Sequence, residues 1–253
     1  MRFLISLTLL GALLLGGSSA QAQHSRQRRH FNSQGRPYYR GPLRLTLAGG
    51  TAFYNGDLGS FGQNFLGPAV SVGVLYRLRP HLLIGSEFSY FQLGAKDKLT
   101  ERGLAFRSTN GLGTVLLRFD LLPDESAFSS AGTDPAPFQI YLQAGAGLLL
   151  YSPEAYEGTS RATDNTRFLP SEREAFPTQP GATTVYPAMA GVAPVGGGFT
   201  VRLNDALHLG LEGNYYFTTT DHIDDVSLRG NPDQKDGFGT VLLKLDWALP
   251  SGR

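Results

Sequence analysis

His222 and Ser227 lie close together in TTDHIDDVSLRG, residues 219 to 230, a base and a hydroxyl of the kind that nucleophilic hydrolysis pairs. The same segment carries Asp221, Asp224 and Asp225, hard oxygen donors of the type that Ca²⁺ takes. Glu87 and Glu212 recur in matching contexts, Gly85-x-Glu87-x-x-Tyr90 and Gly210-x-Glu212-x-x-Tyr215, and paired carboxylates can act as acid and base where a cleft admits a substrate. Each set meets an obstacle. His222 and Ser227 sit within one loop, not aligned on one strand face. The order of the aspartates does not fit an EF-hand, so the segment reads as a solvated acidic loop. Glycines 49, 50, 145, 147, 196, 197 and 198 lack the strand-to-helix G-x-G-x-x-G setting of a phosphate cradle and fit crowded or sharply bent strands.

Whether the glutamates face a cleft depends on the elements that carry them. No stretch sustains apolar residues at i, i+3, i+4 and i+7, whereas alternation with period two recurs along the chain. It predicts eight strands, at 43–54, 67–78, 82–93, 104–121, 138–151, 188–203, 206–218 and 237–249. The fourth and eighth share a phrase, GLGTVLLRFDLLP from Gly111 and GFGTVLLKLDWALP from Gly237, and Arg77-Leu78 matches Arg202-Leu203. Strands two to four thus recur as six to eight, by duplication or by convergence under the same constraints.

In the shared phrase Val115, Leu117 and Phe119 point one way and Thr114, Arg118 and Asp120 the other; Val241, Leu243 and Trp247 oppose Thr240, Lys244 and Asp246 likewise. A soluble sandwich would bury the apolar face between sheets; a membrane barrel turns it to lipid. Aromatic placement favours the barrel. Tyr76, Phe119 and Trp247 fall near the tight links at Arg79-Pro80 and Asn204-Asp205, and Phe53, Phe88, Tyr90, Tyr215 and Phe217 near the long loops 55–66, 94–103, 152–187 and 219–236. The link 122–137 is long although it lies on the short side, as a periplasmic contact or a plain insertion. Pro194 suggests a bulge or a later start of the sixth strand.

The expected fold is therefore all-β, an eight-stranded antiparallel transmembrane up-and-down β-barrel with a filled polar lumen. Arg77, Glu87, Arg118, Asp120, Arg202, Glu212, Lys244 and Asp246 all fall on its inward face, four basic and four acidic, as a lumen ionic network. Balanced charge in a filled lumen gives the glutamates neither cleft nor substrate path, so the catalytic reading is set aside.

Arg2, the apolar run Leu4 to Leu15 and Ala20-x-Ala22 predict a signal peptide over 1–22, too short in its apolar core to span a bilayer comfortably. Residues 23–42 hold five arginines among Gly and Pro and read as a basic flexible periplasmic arm, 43–249 as the barrel and 250–253 as a tail. No cysteine is present, which excludes a lipobox, disulfides and thiolate metal sites. A net charge of +1 offers no field for nucleic acid.

Two loop segments are more specific: Tyr54-x-Gly56-Asp57-Leu58 after the first strand and Thr220-Asp221-x-x-Asp224-Asp225-Val226-Ser227 after the seventh. Here the chain resembles the outer-membrane β-barrels of Bacteroidota that include PorG, a subunit associated with the type IX (Por) secretion system. His222 stands where that family carries an aromatic. The resemblance implies a non-enzymatic part of an export machine, in the cell outer membrane, contacting outer-membrane lipid and a periplasmic ring of lipoprotein and partner subunits through the arm, the link 122–137 or the barrel wall. No catalytic residue, cofactor, metal or small-molecule substrate is expected. The alternatives are a generic envelope-stabilising or adhesive barrel that binds through its outer loops and, ranked last, a lipid A-modifying enzyme built on His222 and Ser227.

Overall fold

The computed structural model describes residues 30–56, 58, 61–98, 103–128, 136–171, 186–226 and 235–249. A small hairpin, β1 (His30–Phe31) and β2 (Pro37–Tyr38), precedes eight long strands: β3 (Arg44–Asn55), β4 (Gly67–Arg79), β5 (Leu82–Lys96), β6 (Leu104–Asp120), β7 (Phe138–Glu157), β8 (Ala188–Arg202), β9 (Leu207–Thr218) and β10 (Gly237–Ala248). Each pairs antiparallel with its neighbours in sequence, and β10 closes on β3. The barrel is all-β and has no edge, so the strand backbone groups are satisfied within the wall, as crossing lipid demands.

Its outer face is apolar around the whole circumference. Val72 and Val74 of β4, Val115 and Leu117 of β6, Leu148 and Leu150 of β7, Leu209 and Leu211 of β9, and Val241 and Leu243 of β10 are all exposed, Leu243 at 56%. Water does not solvate such a band at tolerable cost, and hydrocarbon does. The aromatic belts fall at its two rims, with Phe119, Trp247, Phe138 and Phe199 by the short turns and Phe88, Tyr90 and Phe217 by the long loops. The glycines of the shared phrase admit the belt at the long-loop end. Phe53 lies across Gly239, where a Cβ would come 2.2 Å from the ring, and Phe88 crosses Gly113, where it would come 3.3 Å away.

Three expectations need correction. First, β7 extends to Glu157, so the outer loop is 158–187 and not 152–187. Its extension pairs with β6 as far as Leu104↔Glu157, with Arg107 holding Glu154 at 2.7 Å across the ladder. Second, Pro194 causes neither a bulge nor a late start. β8 runs straight through it, and the β7 ladder lapses between Ala144↔Val195 and Gly147↔Val192 without losing register, because proline has no N–H to give. The register shift in the wall lies instead between Arg77 and Arg79. Third, residues 30–42, within the span expected to be a flexible arm, carry a hairpin docked on the barrel. Asn32 Oδ1 accepts from the amides of Gln34 and Arg36 at 3.0 and 2.8 Å and fixes the hairpin turn, which Gly35 completes at φ 74°. The hairpin docks on link 122–137: Tyr38 bridges Phe128, Tyr39 N donates to Ala127 O at 2.9 Å, and the Arg36 guanidinium covers the Phe128 ring at 4.1 Å. Residues 1–22, expected to be a signal peptide, residues 23–29 and the tail 250–253 lie outside the described residues.

The lumen has two storeys. Near the short turns, charged and polar side chains fill most inward positions, with Leu75, Leu83 and Leu116 among them. Toward the long loops the same parity carries Phe91, Leu93, Phe106, Leu149 and Phe238, which pack with Tyr54, Leu58, Ile223 and Val226 into an apolar plug. Phe238 stacks between Phe91 and Tyr216, at ring distances of 4.8 and 4.5 Å.

Candidate functional site

Two sites emerge, one in each storey. In the lower one Lys244 Nζ donates to Glu87 Oε2 and Glu212 Oε2, both at 2.8 Å. Arg118 Nε donates to Asp120 Oδ1 at 2.8 Å and its Nη1 stands 3.8 Å from Asp246 Oδ2. One cation thus serves both repeated glutamates and the other both repeated aspartates. Tyr141 joins the halves: its hydroxyl donates to Glu212 at 2.7 Å while its ring lies 3.6 Å below the Arg118 guanidinium. Asn214 donates to the second oxygen of Glu212 at 2.9 Å and accepts from Gln143 at 2.8 Å. The glycine run of β8 leaves room for this, since a Cβ on Gly198 would come 2.8 Å from the Tyr141 hydroxyl and one on Gly196 2.1 Å from Asn214 Oδ1. Six of the eight expected lumen charges are therefore brought together.

Arg77 and Arg202 are not among them. Both lie nearer the short turns and bind acids there: Arg77 reaches Asp124 at 3.2 Å, and Arg202 pairs with Asp205 and donates to Asn204 O at 3.3 Å. Burial alone would raise the Asp124 carboxyl, but hydrogen bonds from Ser126 and Arg77, with the charge of Arg77, hold it below its usual value.

The glutamates sit in a crowded part of the lumen. Their oxygens are committed to Lys244, Tyr141 and Asn214, and the cavity beside them measures about 20 Å³, room for a single water.

The upper site is built by the two motif loops. Tyr54, at the end of β3, directs its hydroxyl to Asp224 Oδ2 at 2.6 Å and to Asp236 Oδ1 at 2.5 Å. Asp224 Oδ1 accepts the amide of Val226 at 3.0 Å, and Asp236 Oδ2 that of Ile223 at 3.0 Å. Asp225, at φ 57°, accepts from the Tyr186 hydroxyl at 2.7 Å, and Thr220 meets the Tyr151 hydroxyl at 3.1 Å. Gly56 is pressed against this knot, where a Cβ would come 2.0 Å from Asp236 Oδ1. Tyr54, Gly56, Leu58, Thr220, Asp221, Asp224, Asp225 and Val226 thus share one end of the barrel; Asp57 and Ser227 lie outside the described residues, and with Ser227 half of the dyad it would form with His222.

The expectation of a solvated acidic loop fails here. Asp224, Asp225 and Asp236 are at most 2% exposed. Their charge is met by amides and phenols, and among the described residues no group of three His, Asp or Glu is placed to hold a metal ion. One phenol has one proton, so Tyr54 can donate to only one of its two partners; the other contact requires a carboxyl that keeps its own. Burial, then the charges of Asp224 and Asp221, hold Asp236 well above its usual value.

Sequence reasoning missed Tyr141, Gln143 and Asn214, although their inward parity was readable, and Asp236 and Tyr186, which only the return of the outer loops reveals.

No protein-family model matches the chain, and no curated protein matches it. Among solved structures it is similar to Neisserial surface protein A (NspA), at 13% identity over 82% of this chain and 97% of that one, with a TM-score of 0.44. It is also similar to Ail, the attachment invasion locus protein of Yersinia pestis, at 10% identity over 83% and 99% with a TM-score of 0.44, and to the outer membrane protein OprG from Pseudomonas aeruginosa, at 11% over 84% and 98% with 0.42. At these identities and scores the likeness carries no functional conclusion.

Proposed function

We propose that the chain is a non-enzymatic outer-membrane β-barrel that serves as a structural subunit of a type IX-like secretion machine and docks periplasmic partners. The observation that carries this reading is the joining of the two motif loops by Tyr54, Asp224 and Asp236 above a packed plug. Among the described residues the motif loops and plug fill the upper end and ion pairs cross the lower one, which supports a role carried by the surfaces. Short turns of bacterial barrels face the periplasm. At that end the hairpin 30–42 packs against Ala127 and Phe128, with Phe31 65% exposed.

Deletion of the gene should block export of secreted cargo, and a photo-crosslinker in place of Phe31 should capture a periplasmic envelope subunit. Unaltered export contradicts the proposal. The alternative, an envelope-stabilising or adhesive barrel, draws on the extension of β6 and β7 beyond the apolar belt. It expects purified protein to bind a ligand and to lose that binding when 158–187 is trimmed.

A further inference from the structure

At the short-turn end a cavity of about 190 Å³ lies between residues 39–42 and the ion network, and neither motif loop touches it. Five arginines line it, Arg40, Arg44, Arg77, Arg118 and Arg202, against Asp120, Asp124 and Asp205. Three of the arginines are engaged, Arg77 by Asp124, Arg118 by Asp120 and Arg202 by Asp205. Arg40 and Arg44 remain. Arg40 Nε is buried without a hydrogen-bond partner, and so is His208 Nδ1 in the same wall. Arg44 is within the field of Asp246 and Asp120, but among the described residues no side-chain hydrogen bond or contact ion pair holds it.

Arg40 and Arg44 are half-buried and border this polar cavity, and the Arg40 Nε has no protein acceptor. Two forks at one cavity converge on a single anion, and the oxygens of a tetrahedral oxyanion, pointing in different directions, can meet both without sharing. The cavity has room for several waters and hence for such an ion. We infer that it binds a phosphate group, held by Arg40 and Arg44 with His208 beside them. This inference needs the barrel and the hairpin 30–42 but not the secretion reading. Phosphate can arrive as a soluble ion or ester, or as the headgroup of a lipid at that rim of the wall.

The test is calorimetric titration of the full chain in detergent micelles with inorganic phosphate, followed by competition with phosphatidic acid in mixed micelles. Saturable binding is expected, weakened about ten-fold or more in Arg44→Gln and in Arg40→Gln, with the heat-dependent gel shift of the folded barrel retained. Arg44→Lys, which keeps the charge and loses the fork, should fall between. Should Arg44→Gln fail to fold, Arg40→Gln, which lies outside the barrel wall, carries the comparison. Competition by phosphatidic acid assigns the site to a headgroup, and its failure to compete to a soluble phosphate. Absence of saturable phosphate binding, or equal affinity in every folded glutamine variant, overturns the inference.

Discussion

Glu87 and Glu212, on opposite walls of the barrel, meet on one ammonium, with Lys244 Nζ at 2.8 Å from each. Their strands, β5 and β9, stand half a circumference apart in the strand order. The repeat therefore builds a cross-brace, in which matching positions converge on the axis from two sides. A brace of buried charges confers stability only while every member is present, because an orphaned carboxylate there has no water to turn to.

Lys244→Met should thus cost about 3–5 kcal/mol of unfolding free energy, read from urea titration in detergent or lipid. Adding Glu87→Gln and Glu212→Gln to Lys244→Met should recover most of it. A Lys244→Met variant as stable as the parent would mean that Tyr141 and Asn214 suffice without the cation.

At the upper site pH should act through Asp236. Its folded-state value lies well above the ordinary 3.8, so the folded state binds the extra proton. The contribution is full below the unfolded value, near 4, and is lost as pH rises through the folded one. Protection factors of the Ile223 and Val226 amides should fall as pH rises from about 4, and Asp236→Asn should flatten the dependence. A profile that stays unchanged in Asp236→Asn would assign the effect elsewhere.

Glycine positions on the outer wall should differ sharply. Gly239→Val drives methyls into the Phe53 ring and should cost about 1–3 kcal/mol. Gly213 has nothing within 4 Å of an added Cβ, so Gly213→Ala should be neutral or slightly stabilising in the same urea titration.

Phe128→Ala removes the ring beneath Arg36 and should free the hairpin 30–42 without loosening the barrel. Trypsin would then cut after Arg40, which Gly41 follows, several times faster, for a contact worth about 0.5–1 kcal/mol, while the urea midpoint of the barrel stays fixed. Equal cutting rates would show that the backbone contacts of Tyr38 and Tyr39 alone hold it.

Much of this was legible in period two. Because parity is set along each strand by local sterics, it located the eight strands within a few residues and turned Glu87, Arg118, Glu212 and Lys244 inward. It does not report height along the barrel axis, which is why Arg77 and Arg202 were grouped with a network they do not reach, and why the apolar plug of Phe91, Phe106 and Phe238 went unforeseen. Loops were least readable. The burial of Asp224 depends on a phenol 170 positions earlier in the chain. The hairpin 30–42 was hidden by arginines whose partners, Phe128 and the link around it, come from a distant segment.

A membrane barrel requires hydrocarbon, not a second protein layer, to cover Val115, Leu117, Val241 and Leu243. Spin labels at these four positions in lipid vesicles should be relaxed by dissolved oxygen and shielded from a water-soluble nickel chelate. Labels that respond to neither, as in a protein interior, or chiefly to the chelate, would contradict the membrane barrel.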